Sequence, residues 1–320
     1  MKFSATSVLL ALAYAGTPVL ANTYTLQSSI VGSQFLSAFS FQAISDPTHG
    51  FVTYVTESAA QSAGLISSTS SSFRFGADHT TVLSPTGAGR KSVRIQSNAA
   101  YETHVAVFNV NHMPEGCGTW PAIWEVEGSD WPNGGEIDIV EGVNNVGPNQ
   151  ITLHTGPGCS IPASGVSQYG TTVTTDCNAN DNNNSGCGVK SPDTNSYGPA
   201  FNAAGGGWYA MERTNNGISV WFWSRNSPNI PAALSSGAST INTSGWGEPT
   251  AFFPNTDCDI ATSFGPANIV INLTFCGDWA GNSNVYASSG CPSTCNAYVA
   301  ANPSAFANAY FDFASVKIYE

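Results

Sequence analysis

Apolar residues in this chain fall at alternate positions or in short β-branched runs, and clusters of Gly, Pro and Asn interrupt them. The segments Lys91-Ser-Val-Arg-Ile-Gln96, His104-Val-Ala-Val-Phe108, Gln150-Ile-Thr-Leu-His154, Gly217-Ile-Ser-Val-Trp-Phe-Trp223, Ile269-Val-Ile-Asn-Leu-Thr-Phe275 and Tyr310-Phe-Asp-Phe-Ala-Ser-Val-Lys-Ile-Tyr319 each predict a strand. No segment combines a sustained 3.6-residue apolar period with helix caps. Many short strands with turn signals between them predict an all-β chain of two packed antiparallel sheets. No repeat, composition shift or low-complexity linker marks a second domain. The polar stretch from about Ser160 to Tyr197 holds two cysteines, and a disulfide-pinned loop explains it better than a linker.

The N-terminus has a different pattern. Lys2 precedes an apolar run from Ser7 to Ala15, and small residues follow in Val19-Leu20-Ala21. This is the form of a cleavable secretion signal over residues 1–21. The run is too short for a membrane anchor, since a spanning helix needs ~20 apolar residues. The mature chain is expected to run from Asn22 to Glu320 as one domain, and the charged end Ser315-Val-Lys-Ile-Tyr-Glu320 has no form of a lipid-anchor signal.

Charge is sparse and acidic. The chain carries 9 basic and 21 acidic residues, a formal net charge of −12 that becomes one unit more negative without Lys2. Nucleic acid and anionic membrane surfaces would repel such a chain. A surface of Ser, Thr, Asn and Gly suits work on a neutral polymer. The 8 cysteines, an even number behind a secretion signal, imply up to four disulfides. Their pairing is open, with Cys177–Cys187 the best single local staple because the two flank one loop. A zinc site is the competing reading, but paired CxxC spacing is missing and the compartment is oxidising. Asn183, Asn242 and Asn272 each begin an N-x-S/T sequon.

The chemistry concentrates in Gly135-Glu-Ile-Asp-Ile-Val-Glu-Gly142. Three carboxylates fall within six residues of a chain that has only 21 acids in 320. Ile137, Ile139 and Val140 between them are β-branched, which makes the segment a strand. On a strand Glu136 and Asp138 share a face, while Glu141, five residues on, points away. One extra residue, a β-bulge at Ile139-Val140, would return Glu141 to that face and leave the apolar residues facing the core. A row of acids on one face is costly. A metal site is one justification, but one strand supplies few ligands in the geometry calcium wants. Retaining glycoside hydrolysis is another: it needs two carboxyl groups roughly 5–5.5 Å apart. Mutual repulsion would then raise the pKa of the acid, and Asp138 could hydrogen-bond the nucleophile.

Trp120, Trp124 and Trp131 crowd the approach to this strand, and Trp279 lies in Cys276-Gly-Asp-Trp-Ala-Gly281. Any one indole could be core packing; four among Gly and Pro turns look like a cleft for sugar rings. His154 fits a satisfied strand histidine as well as a site residue. Arg94 could anchor hydroxyls or pair an acid.

Taken together, Gly118-Thr-Trp-Pro-Ala-Ile-Trp124, Glu136-Ile-Asp-Ile-Val-Glu141 and His154-Thr-Gly156 resemble the fungal laminarinase-type branch of glycoside hydrolase family 16. Asp46-Pro-Thr-His-Gly-Phe-Val52, Gly89-Arg-Lys-Ser-Val-Arg94 and Phe275-Cys-Gly-Asp-Trp-Ala-Gly281 match that branch too, so the resemblance spans nearly all of the mature chain. It implies a concanavalin-like β-jelly-roll sandwich with an open cleft. It implies a retaining endo-β-1,3(4)-glucanase with Glu136 as nucleophile, Asp138 as assisting acid and Glu141 as acid/base. Matching positions imply sugar contacts from Trp124, Trp131, His154, Trp279 and Arg94. No cofactor or catalytic metal is implied, and no ligand cluster demands a structural calcium. The partner is a β-glucan polysaccharide, and the protein is expected to act as a secreted monomer. Thr53 stands where close relatives are expected to have Asn. Two rivals remain: a cell-wall glucan transglycosylase using the same residues, and a non-catalytic glucan-binding lectin. The lectin would not need three carboxylates on one strand.

Overall fold

The computed structural model describes residues 23–320, so the secretion signal expected over residues 1–21 lies outside the described residues. In chain order the strands begin with β1 (Thr23–Ile30), β2 (Phe39–Phe41), β3 (Val52–Tyr54), β4 (Ile66–Ser68), β5 (Phe73–Gly76), β6 (Arg90–Ser92) and β7 (Arg94–Tyr101). Next come β8 (His104–His112), β9 (Thr119–Val126), β10 (Glu136–Val143), β11 (Val146–His154), β12 (Thr171–Thr172) and β13 (Cys187–Lys190). The last are β14 (Gly207–Thr214), β15 (Gly217–Ser224), β16 (Thr240–Asn242), β17 (Ala251–Pro254), β18 (Ala267–Phe275) and β19 (Tyr310–Tyr319). All six segments whose pattern predicts a strand lie in strands. Lys91–Gln96 is divided at Val93, which is fully buried between β6 and β7.

Two sheets carry the fold. The front sheet has eight strands in the order β12-β13-β11-β10-β9-β18-β7-β2. The back sheet has nine, with the path β16-β1-β19-β8-β14-β15-β17 and with β5 and β4 continuing from β19. Every strand pair in both sheets is antiparallel, and the small β3–β6 ladder beside them is parallel. Among the described residues the longest helix, Cys295–Ala301, has seven residues. The jelly-roll sandwich expected from the sequence is the fold observed.

Alternation along each strand builds the core. Ile123, Ile137, Ile151 and Ile271 of the front sheet face Phe108, Phe313, Met211 and Val220 of the back sheet. The opposite face of the back sheet is also covered. Trp208, Trp221, Trp223 and Trp246 pack there with Leu234 and Ile241, and Trp246 meets Trp221 and Trp223 edge-on at 5.3 and 5.6 Å. Four of the 8 tryptophans are therefore structural, and none of them is among the four the sequence marks for a cleft.

The cysteines form four disulfides: Cys117–Cys291, Cys159–Cys258, Cys177–Cys187 and Cys276–Cys295. The local staple Cys177–Cys187 is as expected. The polar stretch after Ser160 is tied to the front sheet through β12 and β13, so it extends that sheet as well as decorating it. Asn183 and Asn242 are exposed sequons. Asn272, by contrast, is 6% exposed inside β18, and both its side-chain groups are hydrogen-bonded within the chain.

One polar pair crosses the dry core. Glu125 of β9 points inward, and its Oε1 lies 2.9 Å from His104 Nε2 of β8, both side chains fully buried. Removing one partner strands the other without water. Glu125→Ala is expected to cost about 3 kcal/mol of folding stability. Urea denaturation would measure it, and a loss no larger than that of an exposed Glu→Ala control would show that His104 finds another partner.

Candidate active site

The site is built on β10, which lies inside the front sheet between β9 and β11. In the register Glu136 pairs with His154, and Asp138 pairs with Thr152 on one side and Trp124 on the other. The register then slips between Asp138 and Val140, and it resumes with Glu141 opposite Ala122 and Gln150. That slip is the expected bulge. Ile137, Ile139 and Val140 are each at most 1% exposed and join the core. Glu136 and Glu141 keep part of their surface open, and Asp138 between them is 2% exposed. Beside the second acid, Gly142 is required by packing: a Cβ there would lie 2.7 Å from the Tyr197 ring.

Two indoles do more than line a cleft. Trp131 Nε1 donates to Glu136 Oε2 at 2.8 Å, and Trp120 Nε1 donates to Glu141 Oε1 at 2.8 Å. Trp131 sits on a turn organised by Glu127, whose carboxylate accepts from the Ser129 N–H at 3.2 Å and the Asp130 N–H at 2.8 Å. Trp131 remains 45% exposed. Trp120 also meets Trp279 edge-on at 5.7 Å. Trp124 Nε1 donates to Asn272 Oδ1 at 2.7 Å, and the Asn272 amide donates to Tyr54 Oη at 3.1 Å. The Arg94 guanidinium lies 4.8 Å from the centre of the Trp124 ring, and its Nε donates to Gln42 Oε1 at 2.8 Å. Among the described residues Arg94 forms no salt bridge, so it steadies Trp124 and does not pair an acid. Thr53 spends its hydroxyl on the Ala88 carbonyl at 2.7 Å.

His154 joins the acids from β11. Its Nε2 lies 3.4 Å from Asp138 Oδ2, and its Nδ1 donates to Asn184 Oδ1 at 2.8 Å. Asn184 comes from the loop stapled by Cys177–Cys187. Gly186 lets that loop close on the histidine: its φ is +60°, and a Cβ would lie 2.8 Å from His154 Cε1. Asp138 Oδ2 is buried, and the His154 imidazole at 3.4 Å is its polar neighbour among the described residues.

Electrostatics separate the two glutamates. Loss of water around the carboxyl is the largest influence on each, and the charge of Asp138 is the second. Together they push Glu136 up to about 7 and Glu141 up to about 8. Repulsion alone is therefore not the main cause, as the sequence reading supposes; desolvation is. His154, the Trp131 N–H and Arg94 pull Glu136 back down, while Glu141 has the Trp120 N–H and His154 on that side and the charge of Glu136 against it. The histidine responds in the opposite sense. Burial pulls the imidazole down, but the hydrogen bond and charge of Asp138, with the charges of Glu136 and Glu141, lift it to about 9.

Donor atoms of Glu136, Asp138 and His154 lie within 4.8 Å of one another. This set does not suit calcium, which takes about 6–8 oxygen ligands. A transition metal would first have to displace a proton from an imidazole held up to about 9. What the arrangement can do is keep one glutamate protonated while its neighbour is ionised, on one face of one strand.

The sequence-marked residues Glu136, Asp138, Glu141, Trp124, Trp131, His154, Trp279 and Arg94 gather on this side of the front sheet. Sequence reasoning takes Trp120 only as a nearby aromatic and misses Asn149, Asn184, Asn272, Tyr54 and Gln42. Of these, Asn184 had a signal, since it lies in the loop between two neighbouring cysteines.

The family model of the XgeA-like catalytic domain of glycoside hydrolase family 16 matches residues 39–319. A probable endo-1,3(4)-β-glucanase of Neosartorya fischeri is 44% identical over 93% of this chain and 46% of its own length. The chain thus spans about half the length of that relative. Laminarinase 16A of Phanerochaete chrysosporium, a family 16 structure holding 6-O-glucosyl-laminaritriose in both donor and acceptor sites, is 57% identical with a TM-score of 0.92, covering 93% of this chain and 100% of that one. The structure of an elongating family 16 β-1,3-glucosyltransferase is 42% identical with a TM-score of 0.85, again over 93% of this chain and 100% of that one.

The indole N–H groups favour the ionised form of the acid they face. Trp131→Phe is expected to raise the pKa of Glu136 above about 7, and Trp120→Phe that of Glu141 above about 8. Carbon NMR titration of the labelled side-chain carboxyls checks both; unchanged midpoints would mean that water replaces the indole N–H at no cost.

Proposed function

The chain belongs to glycoside hydrolase family 16, and from that membership we propose that it is a secreted endo-acting β-glucanase that cleaves β-1,3- and mixed β-1,3-1,4-glucans with retention of configuration. The observation that carries this reading is the bulge that puts Glu136 and Glu141 on one face of β10 with Asp138 between them. Retaining chemistry uses such a pair at a separation of roughly 5–5.5 Å.

In this reading Glu136, the less basic of the two, attacks the anomeric carbon. Glu141, the more basic, protonates the leaving glycosidic oxygen. The α-linked glycosyl enzyme that forms is then opened by water, which Glu141, now ionised, deprotonates. The sugar leaves with its β-configuration. Asp138 holds an acceptor next to Glu136, and the His154 imidazolium behind it offsets the local negative charge. Trp124 and Trp279 offer faces for pyranose rings, and Arg94 fixes the first of these. The aromatic row suits a neutral chain polymer better than a single sugar.

Residues 22–320 act as one catalytic domain, working as a monomer after the leader 1–21 is removed. Four disulfides fit an oxidising compartment. No helix of the described residues is long and apolar enough to cross a membrane. The second reading is a glucan transglycosylase, favoured by the likeness to the elongating glucosyltransferase. It uses the same carboxyls but passes the glycosyl enzyme to a sugar hydroxyl. The lectin reading has nothing to require three desolvated acids on one strand.

Glu136→Ala and Glu141→Ala are each expected to lower laminarin cleavage by at least ~10³-fold in folded protein. Azide separates the roles on a 2,4-dinitrophenyl β-laminaribioside: Glu141→Ala should yield the β-glycosyl azide, and Glu136→Ala the α-azide. The opposite products would exchange the two assignments. With the unaltered protein, NMR should show β-configured short products from laminarin. Products longer than the starting chains would identify a transglycosylase.

A further inference from the structure

A bulge leaves backbone groups that the strand ladder does not serve. In β10 one buried side chain takes up two of them. Asn149 of β11 is 1% exposed. Its Nδ2 donates to the Ile139 carbonyl at 3.0 Å, and its Oδ1 accepts the Glu141 N–H at 2.8 Å. A carboxamide fits this task because it offers a donor and an acceptor side by side. The two groups it joins lie on either side of the extra residue.

The clamp is itself held from outside. The Asn149 N–H donates to Ser196 Oγ at 3.0 Å, and the Asn149 carbonyl accepts the Ser191 N–H at 2.9 Å. Ser196 Oγ in turn donates to the Asp193 carbonyl at 2.7 Å. The turn 191–196, Asn149, the bulge and the Glu141 main chain thus form one continuous hydrogen-bonded path.

We propose that Asn149 is the positioning residue that sets the Glu141 carboxyl on the catalytic face by clamping the β10 bulge. The proposal rests on the reading of Glu141 as acid/base. Without the clamp the Ile139 carbonyl and the Glu141 N–H lose their buried partner, and the bulge that aims the Glu141 side chain is free to shift. Asn149 is buried and its side chain is spent on the main chain of β10, so it acts through Glu141.

The test uses the full mature chain with Asn149→Ala, Asn149→Asp and, as reference, Glu141→Ala. Asn149→Asp keeps an acceptor for the Glu141 N–H and loses the donor to Ile139. For Asn149→Ala, kcat on laminarin is expected to fall ~10²-fold with KM little changed, the size of loss that an ångström of misplacement brings; Asn149→Asp should lose less. From the 2,4-dinitrophenyl β-laminaribioside the dinitrophenolate departs without needing a proton, so the first step should survive, and azide should restore turnover with β-azide as product. That rescue is the mark of a misplaced acid/base, which a general loss of packing would not produce. A folded Asn149→Ala that matches the unaltered protein overturns the proposal. So does an equal loss on both substrates without azide rescue, or failure of both variants to fold, since a positioning role leaves the sandwich intact. If Glu141→Ala itself shows no azide rescue, the acid/base reading fails, and that result is distinct from failure of the clamp.

Discussion

One residue too many in β10 is the constraint on which the site depends. A strand shows alternate side chains to each face, so acids at positions 136 and 141 belong on opposite faces of a regular strand. The register slip after Asp138 reverses that parity for Glu141. It also keeps the apolar side chains Ile139 and Val140 both buried, which no regular strand allows for neighbours when one face is open. Two hydrophobic residues in sequence are therefore the reason the second carboxyl can return to the cleft. Core packing and the placement of the carboxyls are here the same fact.

Bringing the acids together creates an electrostatic problem, and the surrounding residues answer it one group at a time. Desolvation and the charge of Asp138 destabilise the ionised form of both glutamates. Each glutamate has one indole N–H at 2.8 Å that acts in the other direction. His154, held through Asn184, supplies positive charge to all three acids. The result is a graded set in which Glu141 keeps its proton at a higher pH than Glu136. The two glutamates are thus distinguished by environment, since their side chains are chemically identical.

How much of this was legible in the sequence follows from the range of each interaction. Strand alternation, the three carboxylates and the need for a bulge are local, and they could be read from eight residues. The staple Cys177–Cys187 is also local. Asn149 was not legible, because nothing in the hairpin's composition says that its side chain turns toward the bulge. The task of Trp120 and Trp131 was legible only in part: an indole near a cleft reads as a stacking platform, and its N–H direction depends on the folded turn. The same limit explains Asn272. Its sequon is a three-residue pattern, while its burial depends on Trp124 and Tyr54 from other parts of the chain. Glu125 reads as one more acid, and only the facing sheet reveals His104 beneath it.

Two of the segments that complete the site are tethered by disulfides. Trp279 sits beside Cys276, which is bonded to Cys295, and Asn184 sits between Cys177 and Cys187. A third contributor, Trp131, has no disulfide and relies on the carboxylate of Glu127 to hold its turn. Carboxyl placement for this chemistry tolerates only about 0.5 Å of error. A sheet of hydrogen-bonded strands provides that precision for Glu136, Asp138 and Glu141, which share one backbone. The partners that tune their protonation come from loops, and loops are the mobile part of a fold. The ties therefore lie where sheet pairing ends, and the weakest is the hydrogen-bonded turn that carries Trp131. Of the two glutamates, Glu136 depends on that turn for its indole donor. Loop motion should then perturb the ionisation of Glu136 more than that of Glu141, whose donor Trp120 belongs to β9 itself.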